Sequence, residues 1–198
     1  MKLGRLGIYL GICLVAVAIV AGTSAIRRGL SARTQPLALE VAMARALRHL
    51  AVPASAQTQS NPFRATPELL SEAWRHFADH CAGCHANDGS GKTAMGQNLY
   101  PKSPDMRLSA TQQLSDGELY YMIHNGIRFT GMPAWGAEGQ DDDSWKLVLF
   151  IRHLPHLTVE ELKEMEKYNP KSETERVEEK EEEDFLNGNA VNPHEHHN

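Results

Sequence analysis

Cys81, Ala82, Gly83, Cys84 and His85 set two thiols three residues apart, with an imidazole directly after the second. This is the C-x-x-C-H pattern of c-type haem attachment, in which two thiols bond the porphyrin and the imidazole ligates its iron. Residues three apart share a helix face, so Cys81 and Cys84 can both reach the edge of one flat macrocycle, with His85 carried beneath its centre. Two other chemistries use the same residue types. A dithiol redox pair wants a thioredoxin-like βαβ pattern, and a zinc site wants a second close pair of Cys or His. The sequence supplies neither, and Cys13, far upstream in an apolar run, reads as a small hydrophobe.

A ligand is needed on the opposite side of the iron, and for an electron carrier a thioether or a second imidazole suits. Met132 is the expected residue. Gly131 lets the backbone come close and Pro133 pushes Met132 toward an extended conformation. Met106, Met95, Met122 and His124 remain as alternatives, since a methionine can equally fill a gap in a core. His76, His80, His153 and His156 read as surface or supporting residues. No catalytic constellation competes: there is no Ser-His-Asp order, no H-E-x-x-H and no second C-x-x-C-H. Gly91-Lys92-Thr93 ends like a phosphate loop, but Ala86 stands where its first glycine is required and no strand precedes it. Neither nucleotide nor nucleic acid is expected as a partner.

These residues must be held by helices. Thr66, Pro67 and Glu68 open one, with Thr66 as N-cap, and Leu70, Trp74, Phe77 and Cys81 form an apolar stripe along it that ends at the motif. The Asn87–Gly91 stretch then breaks into a loop. Ser115 and Glu118 make a capping box for a helix to about Asn125, closed by Gly126. A further helix follows Asp141, Asp142 and Asp143, carries Trp145, Val148, Leu149 and Ile151, and stops at Pro155. A second capping box, Thr158 with Glu161, opens a helix through Leu162 and Met165 that ends before Pro170. No strand period appears, and the fold class expected is all-α.

Residues from about Thr66 to Leu157 resemble a class I, mitochondrial-type monohaem cytochrome c domain: an N-terminal helix, C-x-x-C-H, connecting loops, a Met132-Pro133 loop and an aromatic C-terminal helix. The chain as a whole looks like a membrane-anchored bacterial c-type cytochrome. The resemblance implies a small helical domain around one covalent haem c, with His85 and Met132 on the iron. It implies electron transfer without breaking a substrate bond, between a redox protein donor and acceptor. It also implies that the carbonyl of Pro101, in Asn98-Leu99-Tyr100-Pro101-Lys102, receives the free N–H of the ligand imidazole, and that Arg107 and Trp135 hold the propionates. Two other roles stay open: a haem subunit of a larger respiratory oxidoreductase, or an open-site haem sensor or peroxidase. Roughly 92 residues bury limited surface, so the domain is expected to depend on its cofactor for order.

Four segments are expected: a membrane anchor or signal peptide (1–26), a basic tether (27–65), the cytochrome domain (66–157) and an acidic, His-ended tail (158–198). No charged residue falls between Leu6 and Ile26, a run long enough to cross a bilayer and longer than a usual signal-peptide core. Counting basic residues alone, Arg27, Arg28, Arg33 and Arg45 after the run against Lys2 and Arg5 before it put the bulk of the chain in the cytoplasm. The resemblance overrules that count: c-type haem is attached on the outer side of the membrane, which implies a single-pass inner-membrane protein with its haem domain in the periplasm.

In the tether, Pro36 is expected to open a helix with Leu39, Met43, Ala46, Leu47 and Leu50 on one side. That helix either lies on anionic headgroups or packs on the domain, and Pro53–Pro62 reads as a loop. From Lys171 to Asn198 the tail carries nine acidic residues against Lys171, Arg176 and Lys180, as a solvated helix or as disorder. Its last residues, His194, Glu195, His196 and His197, could hold copper or nickel.

Overall fold

A computed structural model describes residues 2–27, 31–137 and 141–187; the terminal histidines lie outside them. Among the described residues every regular element is helical. The first, α1 (Lys2–Arg27), contains the apolar stretch Gly7–Ser24, none of which is buried against the protein. Its 26 residues, at about 1.5 Å each, exceed a hydrocarbon core of about 30 Å.

The tether forms α2 (Ala38–Ala51) and a short α3 (Ala54–Gln57). Helix α2 starts two residues after Pro36, with Leu37 as N-cap. The expected loop at 53–62 is therefore interrupted by α3, which begins directly after Pro53. Gln57 holds it by donating from Nε2 to the carbonyls of Val52 at 2.9 Å and His49 at 3.0 Å.

The haem motif is carried by α4 (Pro67–His80) and α5 (Ala82–His85), followed by α6 (Ala94–Asn98) and α7 (Ser109–Gln112). Next come α8 (Asp116–Asn125), α9 (Asp141–His153) with a 3-10 turn at Leu154–His156, α10 (Val159–Glu166) and α11 (Glu173–Leu186). Thr66 caps α4 by accepting from Leu69 N–H, and both expected capping boxes form, Ser115 with Glu118 and Thr158 with Glu161. Each satisfies N–H groups that a helix start otherwise leaves bare.

Helix α9 lies between α4 and α8 and is covered on several sides. For that reason Leu147 and Phe150 are buried beside Trp145, Val148 and Ile151, and Leu149 is half-buried. Phe77 and Phe150 meet at 4.9 Å between ring centroids and, with Val148 and Met165, form the fully buried centre. Arg152 ties α9 to the corner before α8, donating to the carbonyls of Gln112 (2.7 Å) and Leu114 and to Asp116 (2.8 Å).

The packed body is longer at both ends than 66–157. Upstream, Val52 and Ala56 are buried, and Asn61 Nδ2 donates to the carbonyl of Trp145 at 2.9 Å. Helices α3 and α8 touch so closely that a Cβ on Gly117 would stand 1.8 Å from the Ala56 carbonyl. Downstream, α10 packs on α4 with Met165 wholly buried. Tyr168 meets Trp74 edge-on at 5.5 Å, with the Arg75 guanidinium 5.4 Å from both rings. This stretch is docked by Met165 and Tyr168 and by Glu161 Oε1, which lies 2.9 Å from His153 Nε2. Beyond it α11 is an exposed helix, opened by Ser172 and Glu175 in a further capping pair.

Candidate haem site

Cys81 is the C-cap of α4, and its N–H donates to the Phe77 carbonyl at 2.8 Å. Its own carbonyl accepts from Cys84 N–H (3.1 Å) and His85 N–H (2.9 Å), so the five-residue motif is one closed helical turn on the end of α4. Cys81 packs against the hydrophobic core, and Cys81 and Cys84 are both free thiols.

The carbonyls of Cys84 and His85 are tied down by residues that sequence reasoning did not connect with the haem motif. Thr93 Oγ1 donates to the Cys84 carbonyl at 3.2 Å and accepts from Gly96 N–H at 2.8 Å, capping α6 and fastening it to the motif at once. Gly91 N–H donates to the His85 carbonyl at 2.7 Å, while Gln97 Nε2 donates to the Gly91 carbonyl at 2.8 Å. Gly96 has no room for a side chain: a Cβ there would lie 2.1 Å from the Cys84 carbonyl. The Gly91-Lys92-Thr93 stretch, read above only as a failed phosphate loop, thus serves to clamp the motif.

Ala86 leaves the turn at φ +60° and ψ 155°, a region almost confined to glycine that costs other residues about 1–3 kcal/mol. Ala86→Gly should therefore raise the stability of the haem-loaded protein by about 1 kcal/mol, net of glycine's greater freedom when unfolded. Urea unfolding followed by far-UV dichroism measures it, and equal or lower stability would show that the strain is absent.

Burial lowers the proton affinity of His85 and keeps its imidazole neutral, the form that ligates a metal. Burial also pushes the Cys81 thiol up to about 12. A dithiol redox pair works through a lowered thiol pKa, and burial acts on Cys81 in the opposite direction. No group of three or more His, Cys, Asp or Glu side chains that could hold a metal ion occurs among the described residues, which leaves the zinc alternative without partners.

Met132 is half-buried against the same hydrophobic core as Cys81 and Trp135. Its loop is held by Ile127 N–H on the Met132 carbonyl (3.1 Å) and by Met132 N–H on Thr130 Oγ1 (3.1 Å). It then runs back along α8 through Trp135 N–H to the Ile123 carbonyl and Gly136 N–H to the His124 carbonyl. Trp135 stands edge-on to His80 at 5.5 Å, beside the motif. The rival methionines separate: Met106 and Met122 are buried in the core, and Met95 is exposed. His124 stacks on Tyr120 and faces Asp141.

The residues expected to support the haem have these surroundings. Pro101 does not receive the His85 N–H: Nδ1 of His85 is buried and has no hydrogen-bond partner among the described residues. Pro101 follows exposed Tyr100 through a cis peptide bond, and the backbone that closes on Gly91 belongs to Ser103 and Pro104, whose carbonyls would lie 2.5 and 3.0 Å from a Cβ there. Arg107 is taken up by carboxylates. Its guanidinium binds Asp105 through Nε (2.9 Å) and a terminal nitrogen (2.7 Å), and Asp88 through the other (3.0 Å). These bonds hold Asp105 below the usual carboxylate range and stitch the loop after the motif to the loop before α7.

The donor set fits haem c: two free thiols on one turn, a neutral imidazole with an unpartnered buried nitrogen, and a thioether packed on the same core. Residues 68–151 match the family model described as Cytochrome C oxidase, cbb3-type, subunit III. These residues are a class I-type c-type cytochrome domain. The match takes in α4 through most of α9 and leaves α1–α3, α10 and α11 outside it. No curated protein matches the chain. A cytochrome domain of this kind carries haem c with iron and transfers electrons to and from redox partners, and the apolar α1 is compatible with anchoring it to a membrane.

Proposed function

We propose that this protein is a periplasmic electron carrier, held to the inner membrane by α1, with a single haem c bonded to Cys81 and Cys84 and ligated by His85 and Met132. The observation that carries this reading is the closed turn at 81–85, which presents both thiols and a neutral, buried imidazole from the end of α4. When bound, haem c supplies an iron that alternates between Fe(III) and Fe(II), and thioether ligation raises its potential relative to two imidazoles. The chain's own residues supply rigidity. Thr93, Gly91 and Gln97 fix the His85 side through backbone carbonyls, and Thr130 with Ile127 fixes the Met132 side. Trp135 stands edge-on to His80 beside the motif. Neither ligand-bearing segment has to move for a one-electron step, and that suits a carrier.

The absorption spectrum of the ferric protein tests the ligation. A sulfur-to-iron charge-transfer band is expected in the wild type and should vanish in Met132→Ala, with a lower reduction potential. Its absence from the wild type would favour the open-site sensor or peroxidase instead.

A second reading is favoured by the family match, whose description names a subunit of an oxidase. In that reading the same haem domain is one relay of a larger membrane complex. Detergent-solubilised protein that copurifies in fixed ratio with large redox subunits would support it, and a monodisperse small particle would support the free carrier.

A further inference from the structure

Helix α2 has two opposite faces with different fates. Val41 and Arg48 project from one side and are half-buried, while Leu39 (70% exposed), Met43 (56%), Leu47 (62%) and Leu50 (78%) line the other. The first side is docked on the cytochrome domain. Tyr100 OH donates to Glu40 Oε1, and His49 Nδ1 lies 2.8 Å from Glu118 Oε1 at the start of α8. The second side, four large apolar residues spaced as a single stripe, is left exposed by the described residues.

We propose that this stripe lies in the surface of an anionic lipid bilayer, making α2 a wedge that is bonded to the cytochrome domain on one side and sunk among headgroups on the other. The inference rests on the reading of α1 as a membrane span and goes beyond it. Only ten residues separate Arg27 from Ala38, a reach of at most about 33–36 Å, and the turn that joins Thr34 N–H to the Ser31 carbonyl shortens it. The stripe therefore cannot travel far from the membrane into which α1 inserts. The charge agrees. Arg27, Arg28 and Arg33 before the helix and the exposed Arg45 on it stand against Glu40 alone, Arg48 being half-buried on the docked side near Glu118, and the Glu40 carboxylate is already engaged by Tyr100. A narrow apolar face on a helix that follows a basic segment is the make-up of a helix that lies in the headgroup plane. The contacts to Tyr100 and Glu118 then set the height and tilt of the cytochrome domain, with the 98–101 loop and the start of α8 toward the bilayer.

Nitroxide labelling of the full-length, haem-loaded protein in nanodiscs of mixed phosphatidylglycerol and phosphatidylcholine tests this. Labels are placed on native Cys13 in α1, and, with Cys13→Ser, at Leu47→Cys in the stripe and at Lys163→Cys on α10. The expected result is that labels at 13 and 47 collide several-fold more often with oxygen than with a water-soluble nickel chelate, and that the label at 163 shows the reverse. A lipid-exposed label at 13 with a water-exposed one at 47 overturns the wedge and leaves the anchor standing. A water-exposed label at 13 removes the anchor, and the wedge with it. Spin–spin broadening at 47 that disappears on dilution with unlabelled protein would show a second copy of the chain on the stripe and overturn the lipid assignment.

Discussion

Replacing both cysteines, Cys81→Ser with Cys84→Ser, should abolish the haem stain of the denatured protein band altogether. His85 and Met132 remain in that variant, but ligand bonds to iron do not survive boiling in detergent, whereas thioethers do. Each single replacement should leave a weaker band. The consequence for the fold is as large. Cys81 lies on the core and His85 keeps a buried nitrogen without a partner, so a chain that cannot retain its cofactor leaves apolar and polar groups uncompensated around an empty centre. Loss of a tightly bound group removes stabilisation by mass action, so the variant should be digested at protease concentrations that spare the wild type. Undiminished stain in the double variant would refute covalent attachment.

Gly96→Ala is the second change with a large expected effect, and it touches no ligand. The added carbon would meet the Cys84 carbonyl at 2.1 Å and the Gly91 carbonyl at 2.9 Å, both backbone atoms of the clamp around the motif. Neither can swing aside as a side chain would, so α6 must back away and release the hydrogen bonds of Thr93. Overpacking of this kind costs about 1–3 kcal/mol, or a fall in Tm of about 4–20 °C for a domain of this size. Gly83→Ala inside the motif is the matched control: it is exposed with nothing within 4 Å and should be silent. Thermal unfolding followed at the haem absorption band separates the two, and equal melting would mean that α6 does not clamp the turn.

Much of the fold was legible because short signals coincided with hard physical requirements. The N-cap at Thr66, the boxes at Ser115–Glu118 and Thr158–Glu161, and the stripe from Trp74 to Cys81 each state which N–H groups and which surfaces must be satisfied, and the helices lie where those signals put them. The haem motif was legible for the same reason. What escaped depended on neighbours distant in the chain. Nothing local to Pro53–Gln59 announces that Gly117 has left a space for Ala56, and a run of glutamates and lysines conceals that Met165 fills a hole beside α4. The partners of Arg107 and the empty hand of His85 Nδ1 are likewise set by loop paths, which resemblance to a family does not specify for each proline and each arginine.

The pairing of α4 with α9 has a consequence for the order of events in biosynthesis. Phe77 and Phe150 are about seventy residues apart in the chain, and contacts of such separation form late because a long loop must close first. A chain that emerges from its N-terminus shows the first aromatic long before the second exists, so the nascent polypeptide cannot seal its core until α9 has arrived. During that interval Cys81 and Cys84 stand open to any enzyme that must reach them, and once the two helices meet, Cys81 is packed away.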